Sequence, residues 1–389
     1  MNSRGYLHKG TFSIILAGSL AFSSITVLAE TDLYQAVDGY QIAEEQLTDQ
    51  TIEYNEIGSL IHTYNVDVQN KESNTENQRK EYSEIKNNLS WEKTSANSNK
   101  DEAKDDGDME SYAENASYEA IYKSAIKSYN KMLDRLDKYS NNKDRIALEK
   151  QLTSAAQSLM ISYQSNSLQK DYLKKMEDLT KRLYENTKTQ QQAGLATGQD
   201  VITAYNSWTN ASISLNSMAS NEDSVYQNLC KLLGVNEGGS IELKSVPKAD
   251  LQEIAEINLE EDKEKAIGNN SDIIEQRNTS AGTTSEINKK NRTLQELEEE
   301  VTVKMKELYD EIKQAKTAYD AANAGYSSAQ ITWDNAKNKY GMGMLSGAEY
   351  LQEELKFTQK ETGFESADLE LFQALETYKW AVKGIVSLD

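Results

Sequence analysis

The sequence predicts an all-α fold, a tandem repeat of long antiparallel helical hairpins with little or no β-barrel. Three observations predict it. One proline, Pro247, occurs in 389 residues, where an average composition would supply about twenty; a chain without this helix breaker can hold long helices. Apolar residues recur in steps of three and four over two long stretches, the mark of one helix face. Two glycine-bearing breaks, at Gly194 to Gly198 and Gly343 to Gly347, stand 149 residues apart, as an internal duplication would place them.

In chain order, residues 1–29 read as a signal peptide: Arg4 and Lys9 precede the apolar stretch Phe12 to Leu28, and Val27-Leu28-Ala29 precedes a cut at Glu30. Ser13, Ser19, Ser23, Ser24 and Thr26 make that stretch polar for a permanent span, and no cysteine follows it for lipid attachment. An opening helix is assigned to 30–61. Residues 62–115 form a polar insert rich in Asn, Ser, Lys, Glu and Asp, with an acidic run from Asp101 to Asp108. Alternation of Tyr64, Val66 and Val68 admits a short strand there, and the rest reads as solvated and unstructured.

The first hairpin is assigned to 116–235. Its outgoing stripe runs through Tyr118, Ile121, Tyr122, Ala125, Ile126 and Tyr129, with Ser140 to Asn142 as an interruption, and continues from Leu148 through Leu159, Leu168, Met176 and Leu183. After the break it returns as Val201, Tyr205, Trp208, Leu215, Met218, Val225 and Leu229. Gly238-Gly239 and Pro247 mark 236–250 as a linker. Residues 251–300 are second-repeat opening helices, and 301–389 a second hairpin. The latter carries Val301, Met305, Leu308, Ile312 and Tyr319 outward, then Leu351, Leu355, Phe364, Leu371, Leu375 and Tyr378 on the return.

Composition excludes much chemistry. A single cysteine, Cys230, leaves no internal disulfide or cysteine-rich metal site, and its apolar neighbours Leu229 and Leu233 predict burial. Of two histidines, His8 falls in the signal segment, and His62 has no second ligand type nearby and reads as an ordinary loop residue. Catalytic, cofactor and metal sites are therefore not expected, and the protein is read as a non-enzyme. The Asp105–Asp108 run fails as a calcium loop: with Gly107 at loop position six, position three is Lys104 and position twelve Ala113. Residues 1–29 hold two basic and no acidic side chains, so the net charge moves from −21 to −23 without them. Such a charge disfavours nucleic acid and anionic lipid.

The breaks carry the best local signal. Thr197-Gly198-Gln199-Asp200 and Ser346-Gly347-Ala348-Glu349 both have the form of a capping box, in which a hydroxyl and an acid reciprocally satisfy backbone N–H groups at a helix start. The pairs Ala196/Val201 and Leu345/Tyr350 occupy hydrophobic-staple positions. The competing reading makes Asp200 and Glu349, with Tyr340, a constriction in an oligomer.

The ordered, duplicated set resembles the TolC-like outer-membrane efflux family. That family carries in each half a hairpin whose tip reads roughly aromatic-x-x-Gly-x-x-[ST]-x-x-Asp-Val-Leu. Here the tips run Gln191 to Ile202, with Gly194, Thr197, Asp200 and Val201, and Tyr340 to Leu351, with Gly343, Ser346, Glu349 and Tyr350. The first return helix ends Leu232-Leu233-Gly234, and Ala266 to Ile273 is similar to the family's repeat-opening segment. The likeness spans about Ala116 to Val386, loosest between Ser280 and Leu297. It departs where family members place two barrel strands in each half: the slots here are the polar 62–115 stretch and the helix-like Ile274 to Glu300. Without those strands no barrel closes, because open strand edges are not tolerated in lipid. The second tip also has Leu345 where some relatives use a basic residue.

The resemblance implies a coiled-coil tunnel fold minus the barrel and an exported conduit or docking component of an envelope efflux or secretion system. It further implies a homotrimer, and a periplasmic-adaptor-like partner meeting Gly194, Leu195, Gly343 and Met344. The alternative class is a secreted coiled-coil spacer or surface-interaction protein. A tube-forming hairpin needs two apolar seams, whereas a spacer needs one.

Overall fold

The structure is a computed structural model, and it describes residues 51–136, 143–235 and 241–386. All of them belong to one compact unit, Glu44–Asp389. The signal peptide at 1–29 and most of the opening helix at 30–61 lie outside the described residues.

Strand β1 (Thr51–Ile52) and a short 3-10 turn (Tyr54–Glu56) lead into α1 (Ile57–Tyr64). Three hairpins account for most of the remaining chain. The first joins α2 (Val66–Asp105) to α3 (Met109–Leu136), the second α4 (Lys143–Gln192) to α5 (Gly198–Leu233). Strand β2 (Glu242–Leu243) pairs in parallel with β1, Thr51 against Glu242 and Ile52 against Leu243. Short helices α6 (Leu251–Glu256), α7 (Leu259–Asn269) and α8 (Ser271–Asn278) precede the last hairpin, α9 (Thr284–Gly341) and α10 (Gly347–Val382). The 58 residues of α9 extend about 87 Å at 1.5 Å per residue. The two two-residue strands are the only strands among the described residues, and no barrel is formed there. No described helix is long and apolar enough to cross a membrane.

Two cores hold the hairpins at their bases. One packs Ile57, Ile61, Met160, Leu229, Leu233 and Phe372. The other packs Ile273, Met305, Ile312, Leu371, Leu375 and Tyr378. The hairpins also meet side by side, α4 against α10, where Trp380 Nε1 donates to Gln157 Oε1 at 2.8 Å and Lys175 faces Glu361 at 3.4 Å. Cys230 is fully buried.

The duplication is written into matching joints. Asn65 Oδ1 accepts from Asp67 N and Val68 N to start α2, and its Nδ2 donates to the Leu232 carbonyl at 2.7 Å. In the second half Asn270 Oδ1 accepts from Asp272 N and Ile273 N, while Asn269 Nδ2 donates to the Val382 carbonyl at 2.9 Å. The return helices end in Gly234 and Gly384, with φ of +71° and +92°. A Cβ on Gly234 would lie 2.1 Å from the Tyr64 carbonyl oxygen, and one on Gly384 2.2 Å from that of Asn269. Glycine is needed at each joint twice over, for its backbone angle and for the close approach.

The 62–115 region corrects the expectation of a short strand in unstructured chain. Tyr64 ends a helix, Val66 and Val68 start another, and α2 and α3 form an arm about 60 Å long. The composition is polar, but no proline and no glycine before Gly107 interrupts it, so a modest seam suffices. Tyr82 packs edge-on against Tyr129 at 5.8 Å, Ala96 and Ala103 are buried, and Lys100 pairs with Glu119 across the helices. The acidic run is the arm's tip rather than a long loop: residues to Asp105 are helical, Gly107 turns at φ +74°, and Asp108 Oδ1 accepts from Glu110 N and Ser111 N. His62 is likewise not a loop residue. It lies on α1 with Nδ1 3.1 Å from Glu149 Oε1, and Arg145 donates to the same carboxylate at 2.7 Å.

Candidate functional site at the hairpin tips

The sequence-predicted residues occupy the tips of α4–α5 and α9–α10, and both tips are built the same way. At the first, Gly194 takes φ +73°, its N–H reaches the Gln191 carbonyl at 2.9 Å, and Leu195 N reaches that of Gln190 at 2.8 Å. At the second, Gly343 also takes φ +73°, its N–H reaches Tyr340 O at 2.9 Å, and Met344 N reaches Lys339 O at 2.8 Å. This paired 5→2 and 6→1 bonding is the Schellman helix stop, which glycine enters without steric cost. Nothing lies within 4 Å of where a Cβ would stand on either glycine. The backbone angle alone therefore accounts for both.

The return helices start just beyond. Asp200 N donates to Thr197 Oγ1 at 3.2 Å, and Thr197 N donates to Asp200 Oδ2 at 2.8 Å. Glu349 N donates to Ser346 Oγ at 3.3 Å, and Ser346 N to Glu349 Oε2 at 2.9 Å. The backbone and hydroxyl of Thr197 hold the Asp200 carboxyl below its ordinary 3.8, and the hydroxyl and backbone of Ser346 hold Glu349 below 4.5. Each acid is thus turned back on its own helix start.

The tips present apolar side chains to solvent. Leu195 is 79% exposed and its repeat equivalent Met344 73% exposed, with Met342 beside it at 71%. Tyr340 does not reach outward alone: its ring stacks on Tyr350 at 4.3 Å. Behind the second tip a ladder of rings continues through Trp333, Phe357, Tyr326, Phe364 and Tyr319. The tyrosines and Trp333 fall seven apart in the sequence, so spacing alone could have identified this seam. No group of three or more metal-ligating side chains occurs among the described residues.

No family model matches the sequence, and no curated protein does. Solved structures do. A membrane protein from Pseudomonas aeruginosa is similar over 85% of this chain and 93% of its own, at 13% identity and a TM-score of 0.52. That match shows a shared fold. CusC is similar over 89% and 95% at 9% identity and a TM-score of 0.48, and the CmeC outer membrane channel of Campylobacter jejuni over 69% and 68% at 12% identity and 0.46.

Proposed function

We propose that this chain is a TolC-like conduit component of an envelope export system, a helical tunnel without its own barrel. Its hairpin tips would meet a periplasmic-adaptor-like partner. The observation that carries the reading is the repeated tip: one turn built twice, each time placing a large apolar side chain, Leu195 or Met344, in water at the same position. Exposed apolar anchors at both tips suit a binding surface better than a spacer's end.

The packing of α4 on α10 supports a ring-forming assembly. Adding 149 to the α4 positions and subtracting it from the α10 positions converts this internal contact into one between α9 of one copy and α5 of the next. Those two flanks carry exposed Val303 and Ile331 on α9, and Ile202, Tyr205 and Ile213 on α5. These are isolated apolar residues on otherwise polar flanks, so the tube reading rests on carrying the α4–α10 contact through the repeat. A homotrimer with six hairpins would close such a ring, and Asp200 and Glu349 would then give it a band of negative charge near the tips. An exported protein of the cell envelope fits this role, with the signal peptide directing it there.

The test is a photo-crosslinker placed at Leu195 or Met344 in intact cells, with Leu195→Asp and Met344→Asp as companions. Capture of an adaptor-like pump subunit, lost in the aspartate variants at unchanged helicity, is the expected result. Equal capture from a mid-helix position, or none from either tip, would leave the spacer reading in front. Tip glycine replacements are poor probes, because φ of +73° makes any side chain there distort the turn itself.

A further inference from the structure

We propose that the α2–α3 arm pairs with the same arm of a second copy, α3 running antiparallel to α3 across a twofold axis at Ala125. One line of α3 faces α2, as the Tyr129–Tyr82 and Glu119–Lys100 contacts show. A second line runs one position behind it in alternating steps of four and three: Glu114, Tyr118, Ile121, Ala125, Ser128, Met132, Arg135. Tyr118, Ile121 and Met132 on this line are 44%, 57% and 38% exposed. Two adjacent rows on one helix serve two neighbours, as in a four-helix bundle made from two hairpins.

The order of residues selects the occupant and its direction. Reversing the line and laying it on itself sets Glu114 against Arg135, Tyr118 against Met132, Ile121 against Ser128, and Ala125 against its own copy. The small residue thus lies at the axis, where two identical side chains must share space. A parallel pairing would oppose Glu114 to Glu114 and Arg135 to Arg135. The wider charge pattern agrees: the first half of α3 carries Glu110, Glu114 and Glu119 and no base, and the second carries Lys123, Lys127, Lys131 and Arg135 against Asp134 alone. Such a self-complementary patch is what a twofold interface requires. It stands apart from the tips and does not depend on the conduit reading.

Sedimentation of the full chain tests it. Ile121→Glu should halve the mass of whatever assembly the parent forms, with unchanged circular dichroism. Glu114→Arg and Arg135→Glu should each do the same, and the double reversal should restore the parent mass. Ala125→Cys should form a disulfide with its own copy, whereas Tyr118→Cys should do so only when mixed with Met132→Cys. Equal masses for all variants, failure of the double reversal to restore pairing, self-linking of Tyr118→Cys, or a different protein found on this line would each overturn the proposal.

Discussion

The two long hairpins share one register and differ in what fills it. In α9–α10 the seam carries Tyr319, Tyr326, Trp333 and Tyr340 opposite Leu371, Phe364, Phe357 and Tyr350, with adjacent rings 4.3 to 5.9 Å apart. The same positions in α4–α5 carry Lys170, Glu177, Tyr184 and Gln191 opposite Glu222, Leu215, Trp208 and Val201. One ring stack survives in both, Tyr184 on Trp208 at 5.6 Å and Trp333 on Phe357 at 5.9 Å. Elsewhere the first hairpin replaces rings by charge. Lys170 bonds Glu222 Oε2, while the buried Oε1 has no hydrogen-bond partner among the described residues. Trp208 Nε1 donates to Glu177. Aromatic pairs add about 0.5–1.5 kcal/mol beyond their buried area, whereas a buried ion pair often returns little over an apolar pair of similar size. The second hairpin should therefore be the stiffer half of the repeat and the first the looser one.

Breaking the joints should have the largest effect and should spare neither half. Gly234→Ala or Gly384→Ala drives a methyl group into a backbone carbonyl at a positive φ, and each should cost more than about 3 kcal/mol in a chemical melt. Equal losses would show that the halves differ in their seams and not at their bases. Next in size is Lys170→Ala. It leaves Glu222 buried without its cation and should cost about 2 kcal/mol, less than a fully buried pair because Lys170 is partly exposed.

The sharper experiment transplants the second seam into the first. The double variant Lys170→Tyr with Glu222→Leu takes the residues of Tyr319 and Leu371, and should stabilise by about 1–2 kcal/mol. Amide exchange in the middle of α4 and α5 should slow toward that of α9 and α10. A loss of stability would refute the ranking of the two seams.

The smallest effects belong to the tips. Thr197→Ala and Ser346→Ala should each cost about 0.5–2 kcal/mol, seen as faster amide exchange confined to the first turns of α5 and α10. Acid should reproduce this. Asp200 and Glu349 have folded pKa values below their ordinary ones, so their contribution is complete above the ordinary carboxylate range near pH 4. It fades as pH falls through the depressed values. Exchange measured at pH 3 and pH 6 should show both tips fraying first in acid. Tips that hold equally well at both would mean that the capping acids contribute nothing there.

What the sequence revealed was local. Steps of three and four located α4, α5, α9 and α10, and a glycine followed by a hydroxyl and an acid located both turns, because helix stops and starts are encoded within a few residues. Helix α2 was hidden because its seam is thin, with Tyr82, Ala96 and Ala103 among many polar residues; the stripe of α3 was legible, but its packing against α2 was not. The His62–Glu149 contact joins residues 87 apart, and no spacing rule connects them. Lys170 and Glu222 read as solvent-facing charges until the turn at Gly194 fixes which residues of α4 and α5 meet.

The central claim is that copies close side by side through α9 and α5 in the way α4 and α10 meet within one chain. The internal contacts pair positions such as Lys175 with Glu361 and Gln157 with Trp380. Carried through the repeat, that register would set Ile331 of one copy opposite Tyr205 of the next, both exposed in the single chain at 66% and 48%. A double variant with Tyr205→Cys and Ile331→Cys, oxidised in its assembled form, should give a ladder of one, two and three linked chains that ends there, with the trimer running as a closed ring. Failure to link chains, or a ladder that continues past three, would contradict this closure.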